Sequence, residues 1–264
     1  MLIIGETINT SKEEINLAVE NRDAAFIVDL AKRQIDAGAE YLDINCGTMV
    51  HKEPEVMAWL IETIQEQIPA ALICIDSPNP KAIEVALSLI KNGRPIIDST
   101  TAEKQRFKEI LPLILKYDAK IIALCMDDSG VPELSADRLR IAKRLVEDLT
   151  AAGVKQDDIY LDPLVKPLST GDKTCLEFLK TVYGIKQMYP DVHCSCGLSN
   201  VSYGLPNPKT LNQTFMIQTI TMGMDSYILD VLDRRMMGFI YTSQALLGQD
   251  EYCAKYLAAH RNGL

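Results

Sequence analysis

The 264 residues predict an α/β fold, a single (β/α)8 TIM barrel. Three observations lead there. Short β-branched runs alternate with longer amphipathic runs along the whole chain. The connections are too long for hairpins, so the strands must pair in parallel. About eight such units fit a chain of this length as one closed barrel. An open doubly wound sheet is the competitor. It usually has fewer strands, and the first turn here, Gly5-Glu6-Thr7-Ile8-Asn9, lacks the glycine-rich dinucleotide fingerprint. One domain over 1–264 is expected, without linker, low-complexity segment or second domain.

Taken in order, the strand candidates are Leu2–Gly5, Tyr41–Asn45, Ala71–Ile75, Pro95–Ile97, Lys120–Leu124, Ile159–Leu161, Val192–Cys196 and Ser226–Leu229. Each is a short apolar run bounded by polar or turn-forming residues. Helical patterns fill the gaps near 23–37, 54–68, 79–92, 103–117, 135–152, 173–189, 209–222 and 232–247. Val56, Met57, Leu60, Ile61 and Ile64 have the three-and-four spacing of a buried helical face. Asn79-Pro80 and Asp172 stand where helices should start. Asp250–His260 is expected as an extra helix packed outside the barrel.

Composition narrows the function. The chain is 47% apolar and 24% charged with a net charge of −9, a pI of about 4.9 and a mean hydropathy near zero. Such a chain is repelled on average by a duplex or an anionic membrane, so no nucleic-acid or membrane partner is expected. No apolar run approaches the length that spans a bilayer. The seven cysteines are odd in number, several lie inside strand-like runs, and the chain opens directly on Leu2-Ile3-Ile4-Gly5 without a leader pattern. A cytoplasmic, reducing location without disulfides is the expectation.

In a barrel the chemistry sits at the C-terminal ends of the strands. Glu6, Asp43, Asp76, Asp98, Asp127, Asp162, Asn200 and Asp230 all fall at or just past those ends. Aspartate and asparagine are also common at turns and helix starts. Asp43, Asp76 and Asp162, however, abut the strand with further residues before the next helix, which a helix cap would not do. A ring of carboxylates with few cations repels phosphate, whose sites favour amides at a helix start. A divalent cation is a possible ligand. So is a neutral heterocycle rich in N–H donors. The pyrimidine half of a pterin presents an exocyclic amine beside a ring N–H, a pair that one ionised carboxylate accepts together.

Leu2-Ile3-Ile4-Gly5-Glu6-Thr7-Ile8-Asn9, Leu42-Asp43-Ile44-Asn45-Cys46-Gly47, Ile75-Asp76-Ser77, Ile97-Asp98-Ser99-Thr100, Leu161-Asp162-Pro163-Leu164 and Gly197-Leu198-Ser199-Asn200-Val201-Ser202 resemble the pterin-binding methyltransferases. The strongest likeness is to methyltetrahydrofolate:corrinoid methyltransferases, relatives of the folate module of cobalamin-dependent methionine synthase; dihydropteroate synthase is a more distant relation. The resemblance runs over nearly the whole chain without large insertions. It implies a barrel, usually a homodimer, that binds tetrahydrofolate or 5-methyltetrahydrofolate at its mouth while a partner protein presents cobalamin or another corrinoid. It also implies pterin contacts for Asp43, Asp76 and Asp162, a lining role for Gly197 and Ser199, and for Asn200 the part of the amide that turns toward N5. Asp76, Asp162 and Asn200 would then carry the catalysis.

The sequence departs from that family at three places. Asp98 and Asp127 stand where asparagine is more usual, and Leu205-Pro206-Asn207-Pro208-Lys209 lacks an arginine often found in that loop. Asp98 close to Asp76 makes the expected pterin pocket unusually acidic. That suits a site that holds a protonated pterin more strongly, or one that accepts a proton from N5, as transfer from a methylcorrinoid to tetrahydrofolate in a demethylation pathway would need. The rival readings are a dihydropteroate synthase-like enzyme, which needs cations for a diphosphate leaving group, and a non-catalytic folate-binding protein. His193-Cys194-Ser195-Cys196 has one-residue spacing and no second pair, so no metal is expected.

Overall fold

The computed structural model describes residues 1–261, 263 and 264. Its strands are β1 (Leu2–Asn9), β2 (Tyr41–Asn45), β3 (Leu72–Asp76), β4 (Ile96–Thr101), β5 (Lys120–Leu124), β6 (Ile159–Asp162), β7 (His193–Cys194) and β8 (Ser226–Leu229). Between and after them lie α1 (Glu13–Glu20), α2 (Ala24–Asp36), α3 (Glu53–Gln67), α4 (Pro80–Leu89), α5 (Lys104–Tyr117), α6 (Ser135–Ala151), α7 (Thr174–Met188), α8 (Pro208–Thr221), α9 (Arg234–Leu246) and α10 (Ala254–Arg261). The strands form one eight-stranded sheet in the order β7-β6-β5-β4-β3-β2-β1-β8. All its ladders are parallel. At the remaining seam Gly197 bridges to Ile228 in parallel, and the Ile228 amide donates to the Cys196 carbonyl at 2.9 Å. The (β/α)8 barrel is thereby all but closed.

Successive strand residues point to opposite faces, and this splits the core in two. Ile4, Tyr41, Cys74, Ile96, Ile122, Tyr160 and Ile228 fill the barrel interior. Ile3, Leu42, Ile44, Ile73, Ile75, Ile97, Ile121, Leu161 and Leu229 pack outward against the helices. Each such burial contributes about 1.5–3 kcal/mol. The stripe expected on α3 is present, with Val56, Met57, Leu60, Ile61 and Ile64 all buried.

The expected elements are found, with differences at their ends. β1 does not stop at Gly5. A register irregularity between Gly5 and Ile8 lets it go on pairing to Ile8↔Ile44 and Asn9↔Asn45. Gly5 is required there, because a Cβ would lie 2.5 Å from Gln34 Oε1, the atom that accepts from the Thr7 amide. β4 likewise runs on through Asp98 to Thr101, whose polar residues masked the strand. Helix α1 was not anticipated; it buries only Ile15, Ala18 and Val19, too short a stripe to show a period. Asn79 caps α4 by accepting from the Lys81 amide, but Asp172 caps nothing, since α7 begins after Lys173. Asp250 holds the start of the expected outer helix, α10, by accepting from the Lys255 and Tyr256 amides.

The end of the barrel where the strands begin is stapled by paired charges. Arg94 grips Asp158 with two bonds of 2.7 and 2.9 Å. Asp225 accepts from Lys186 at 3.1 Å and faces His193 at 3.0 Å. This is the face of a barrel that serves stability.

A candidate pterin site at the strand ends

The opposite end is built on the same period of two. Asp43 follows Tyr41 on the inward face of β2, Asp76 follows Cys74 on β3, Asp98 follows Ile96 on β4, and Asp162 follows Tyr160 on β6. Each carboxylate therefore stands directly above the last interior hydrophobe of its strand. Registers Asn45↔Asp76 and Asp76↔Asp98 put these residues side by side. Among the described residues, none of the four aspartates has an ion-pair partner, in contrast to those at the other end.

Their partners are instead weak or neutral donors. Asn45 Nδ2 donates to Asp76 Oδ2 at 2.6 Å. Asp162 accepts from the amides of Leu164, at 2.6 Å, and Gly197. Asp43 accepts from the Cys74 thiol, while its Oδ1 is buried without a partner. Burial pushes every one of these groups up, with mutual repulsion adding for Asp43 and Asp98. Asp76 is raised to about 6, chiefly by burial and against the Asn45 bond. Asp162 is raised to about 7 by burial, held down by the two amides and by Arg138.

Asp43, Cys74 and Asp98 present ligand atoms within 4.8 Å of one another. All three are pushed well above their ordinary values by burial first of all. Burial and proximity favour the protonated forms of the trio, and either a cation or a ligand with N–H donors would stabilise the ionised ones.

The loop after β7 supplies the rest. Residues Leu198–Ser202 form a short 3-10 turn in which Asn200 is exposed. A Cβ on Gly197 would come within 3.2 Å of Asn200 Nδ2. Glycine thus lets that amide lie close over the main chain that also donates to Asp162. Ser199 turns the other way, donating to Glu6 at 2.9 Å. Glu6, Ser199, Ser202, Lys209, Asp230 and Asp233 line a separate cavity of about 240 Å³. Glu6 and Asp230 thus stand together on the β1/β8 side, and Glu6 also adds to the repulsion that raises Asp43. Asp127 leaves the site altogether. Its half-buried carboxylate accepts from Ser129 and faces the exposed Arg140 of α6. A larger cavity of about 870 Å³ between α2, α9 and α10 contains none of the candidate residues.

Three residues were missed by the sequence reading. Asn45 belongs to the inward string Tyr41, Asp43, Asn45 and was detectable by period alone. Arg106 on α5 donates to the carbonyls of Ser77, Pro78 and Ser99. Arg138 on α6 is fully buried and donates to the carbonyls of Pro132 and Leu164.

The barrel mouth thus gathers carboxylates without counter-charges beside neutral amide donors. The chain belongs to the pterin binding enzymes, whose family model matches residues 5–230. It is 37% identical over 265 residues to a methylcorrinoid:tetrahydrofolate methyltransferase of Eubacterium limosum, covering 100% of this chain and 97% of that protein. It is 28% identical to a methionine synthase of Mycobacterium tuberculosis over 86% of this chain, but only 20% of that longer protein. Among solved structures, a dihydropteroate synthase from Xanthomonas albilineans in complex with 7,8-dihydropteroate superposes with a TM-score of 0.71, covering 94% of this chain and 92% of that one. At 16% identity this likeness speaks for the fold alone.

Proposed function

We propose that the chain is a methyltransferase that moves a methyl group between the cobalt of a corrinoid on a partner protein and N5 of tetrahydrofolate, in the direction of folate methylation. The observation that carries this reading is the set of aspartates without counter-charges at the strand ends. The full-length likeness to a methylcorrinoid:tetrahydrofolate methyltransferase supports the reaction and its direction. The whole of 1–264 would form the pterin-binding domain, acting as a cytoplasmic homodimer; no described helix is long and apolar enough to cross a membrane.

The site residues have distinct tasks in this reading. Asp43, Asp76, Asp98 and Asp162 accept the N–H donors of the pterin, and the unpartnered Oδ1 of Asp43 is one such free acceptor. Gly197 keeps the main chain low, so Asn200 can reach N5 of the seated ring. The docked corrinoid would supply the methyl group as an electrophile, keeping the electron pair of the broken cobalt–carbon bond. As the N5–methyl bond forms, N5 gives up its proton; Asn200 orients that N–H and a carboxylate of the pocket receives the proton. Asp162, raised to about 7, is poised to hold it near neutral pH. In reverse the same network returns a proton to N5, so that it leaves as a neutral amine.

A dihydropteroate synthase reading needs cations for diphosphate. Arg106, the guanidinium beside this pocket, spends its donors on main-chain carbonyls, which disfavours it. A spectroscopic assay of methylcobalamin with tetrahydrofolate tests the proposal. Demethylation should require both the protein and the folate. Tight folate binding with no turnover in either direction would leave a mere binding protein and overturn the enzyme reading.

A further inference from the structure

Arg106 occupies the third position of α5, in a stretch that reads as solvent-facing helix, Lys104-Gln105-Arg106-Phe107-Lys108. Its side chain does not go to solvent or to a carboxylate. Nε donates to the Ser99 carbonyl at 2.9 Å, Nη1 to Pro78 at 2.7 Å, and Nη2 to Ser77 at 2.9 Å and to Ser99 at 2.6 Å. Those three carbonyls belong to Ser77 and Pro78, which follow Asp76, and to Ser99, which follows Asp98. One planar fork therefore ties the chain just past β3 to the Asp98-Ser99 stretch of β4, next to the amide of Ser77, which itself donates to the Asp98 carbonyl at 3.0 Å. A lysine has the charge but not the fork that reaches three carbonyls at once.

We infer that Arg106 is a positioning residue of the pterin site, fixing the Asp76 and Asp98 carboxylates through the main chain behind them while lending that pair a positive charge. The inference rests on the pterin reading above and adds a residue to it. Bonding to carbonyls rather than to the carboxylates has a chemical consequence. A direct ion pair would occupy the acceptor oxygens, whereas this arrangement leaves them open to the ligand. The charge still acts through space, and lowers both Asp76 and Asp98 against burial and repulsion. The other groups around the pair are Asp43 on β2, Cys46 just after it, Glu53 on α3, Cys74 on β3, Asp162 on β6, and Glu103 and Glu109 near Arg106 on α5. None is cationic, so Arg106 has no substitute among them.

The test uses carboxyl 13C NMR titration of the ligand-free full chain and calorimetric titration with tetrahydrofolate. In Arg106→Gln, Asp76 and Asp98 should titrate about one pH unit higher than in the wild type, and tetrahydrofolate should bind about tenfold more weakly at neutral pH. Arg106→Lys should keep the wild-type titration yet still lose affinity, because the fork is gone. A purely structural role would weaken the fold without moving either titration midpoint. Unchanged midpoints in Arg106→Gln overturn the inference. If that variant does not fold, Arg106→Lys decides alone, and wild-type affinity in it overturns the inference. The two failures stay distinct. A wild type that takes up no tetrahydrofolate removes the functional reading, whereas the ligand-free titration judges the part played by Arg106.

Discussion

Asn45 Nδ2 lies 2.6 Å from Asp76 Oδ2, joining the last residues of two neighbouring strands. The bond turns one oxygen of Asp76 into an anchor and leaves the other for a ligand. Asn45 is itself fixed, since its Oδ1 accepts from the Gly47 amide at 3.1 Å. Asn45→Ala should therefore raise Asp76 further above its value of about 6. Tetrahydrofolate affinity should fall about tenfold, near 1.4 kcal/mol, as one charge-assisted bond is lost. Calorimetry at neutral pH and at pH 8 checks this. The loss should shrink at the higher pH, where Asp76 is ionised in both proteins.

Asn200 is exposed and belongs to no packed core, so its removal separates chemistry from folding. Asn200→Ala should keep the melting temperature and fold while turnover drops about 10²–10³-fold. Gly197→Ala should give a milder version of the same defect, because the added methyl would crowd Asn200 Nδ2 at 3.2 Å. Methyl-transfer rates measured alongside thermal melts distinguish both from general destabilisation.

The raised carboxylates make stability depend on pH in a definite sense. Asp162 goes from an ordinary 3.8 to about 7 on folding, so between those values the folded state holds more proton than the unfolded one. Its contribution is complete below about pH 4 and is lost as pH rises through about 7. Asp162→Asn should flatten that decline and melt higher than the wild type above pH 7 in the absence of ligand. Melting curves of the two proteins from pH 4 to 8 read the difference directly.

Arg138 acts on Asp162 from behind through one peptide. Its Nη1 donates to the Leu164 carbonyl at 3.4 Å, and the Leu164 amide donates to Asp162 at 2.6 Å. Leu164 sits at a φ of 65°, a left-handed conformation that costs a branched residue about 1–2 kcal/mol. Arg138→Met should lower stability by about 2–4 kcal/mol, through the carbonyls of Pro132 and Leu164 left unpaired. It should also move Asp162 above about 7. Chemical denaturation gives the first quantity and carboxyl NMR the second.

The barrel and most of its mouth were legible because both follow from a period of two. A strand that buries Ile96 inside the barrel must turn Asp98 to the same side, and the same holds for Tyr41 with Asp43 and Tyr160 with Asp162. Asp127 broke the rule because β5 ends at Leu124 and the chain turns outward before reaching it. Glu6 and Ser199 found each other rather than the aspartates, a pairing across 193 residues that no local pattern encodes. Arg106 and Arg138 escaped notice for a related reason. Charged residues within amphipathic helices read as solvent-facing, and only the docking of α5 and α6 against the strand ends brings their guanidinium groups to buried carbonyls.

The central claim is that unpaired aspartates at the barrel mouth bind the donor edge of a reduced folate. Calorimetric titration of tetrahydrofolate into the wild type, Asp76→Asn and Asp162→Asn tests it most directly. Saturable binding at a single site per chain, weakened at least tenfold in each variant, is the predicted result. No heat of binding in the wild type, or equal affinity in all three proteins, would contradict it.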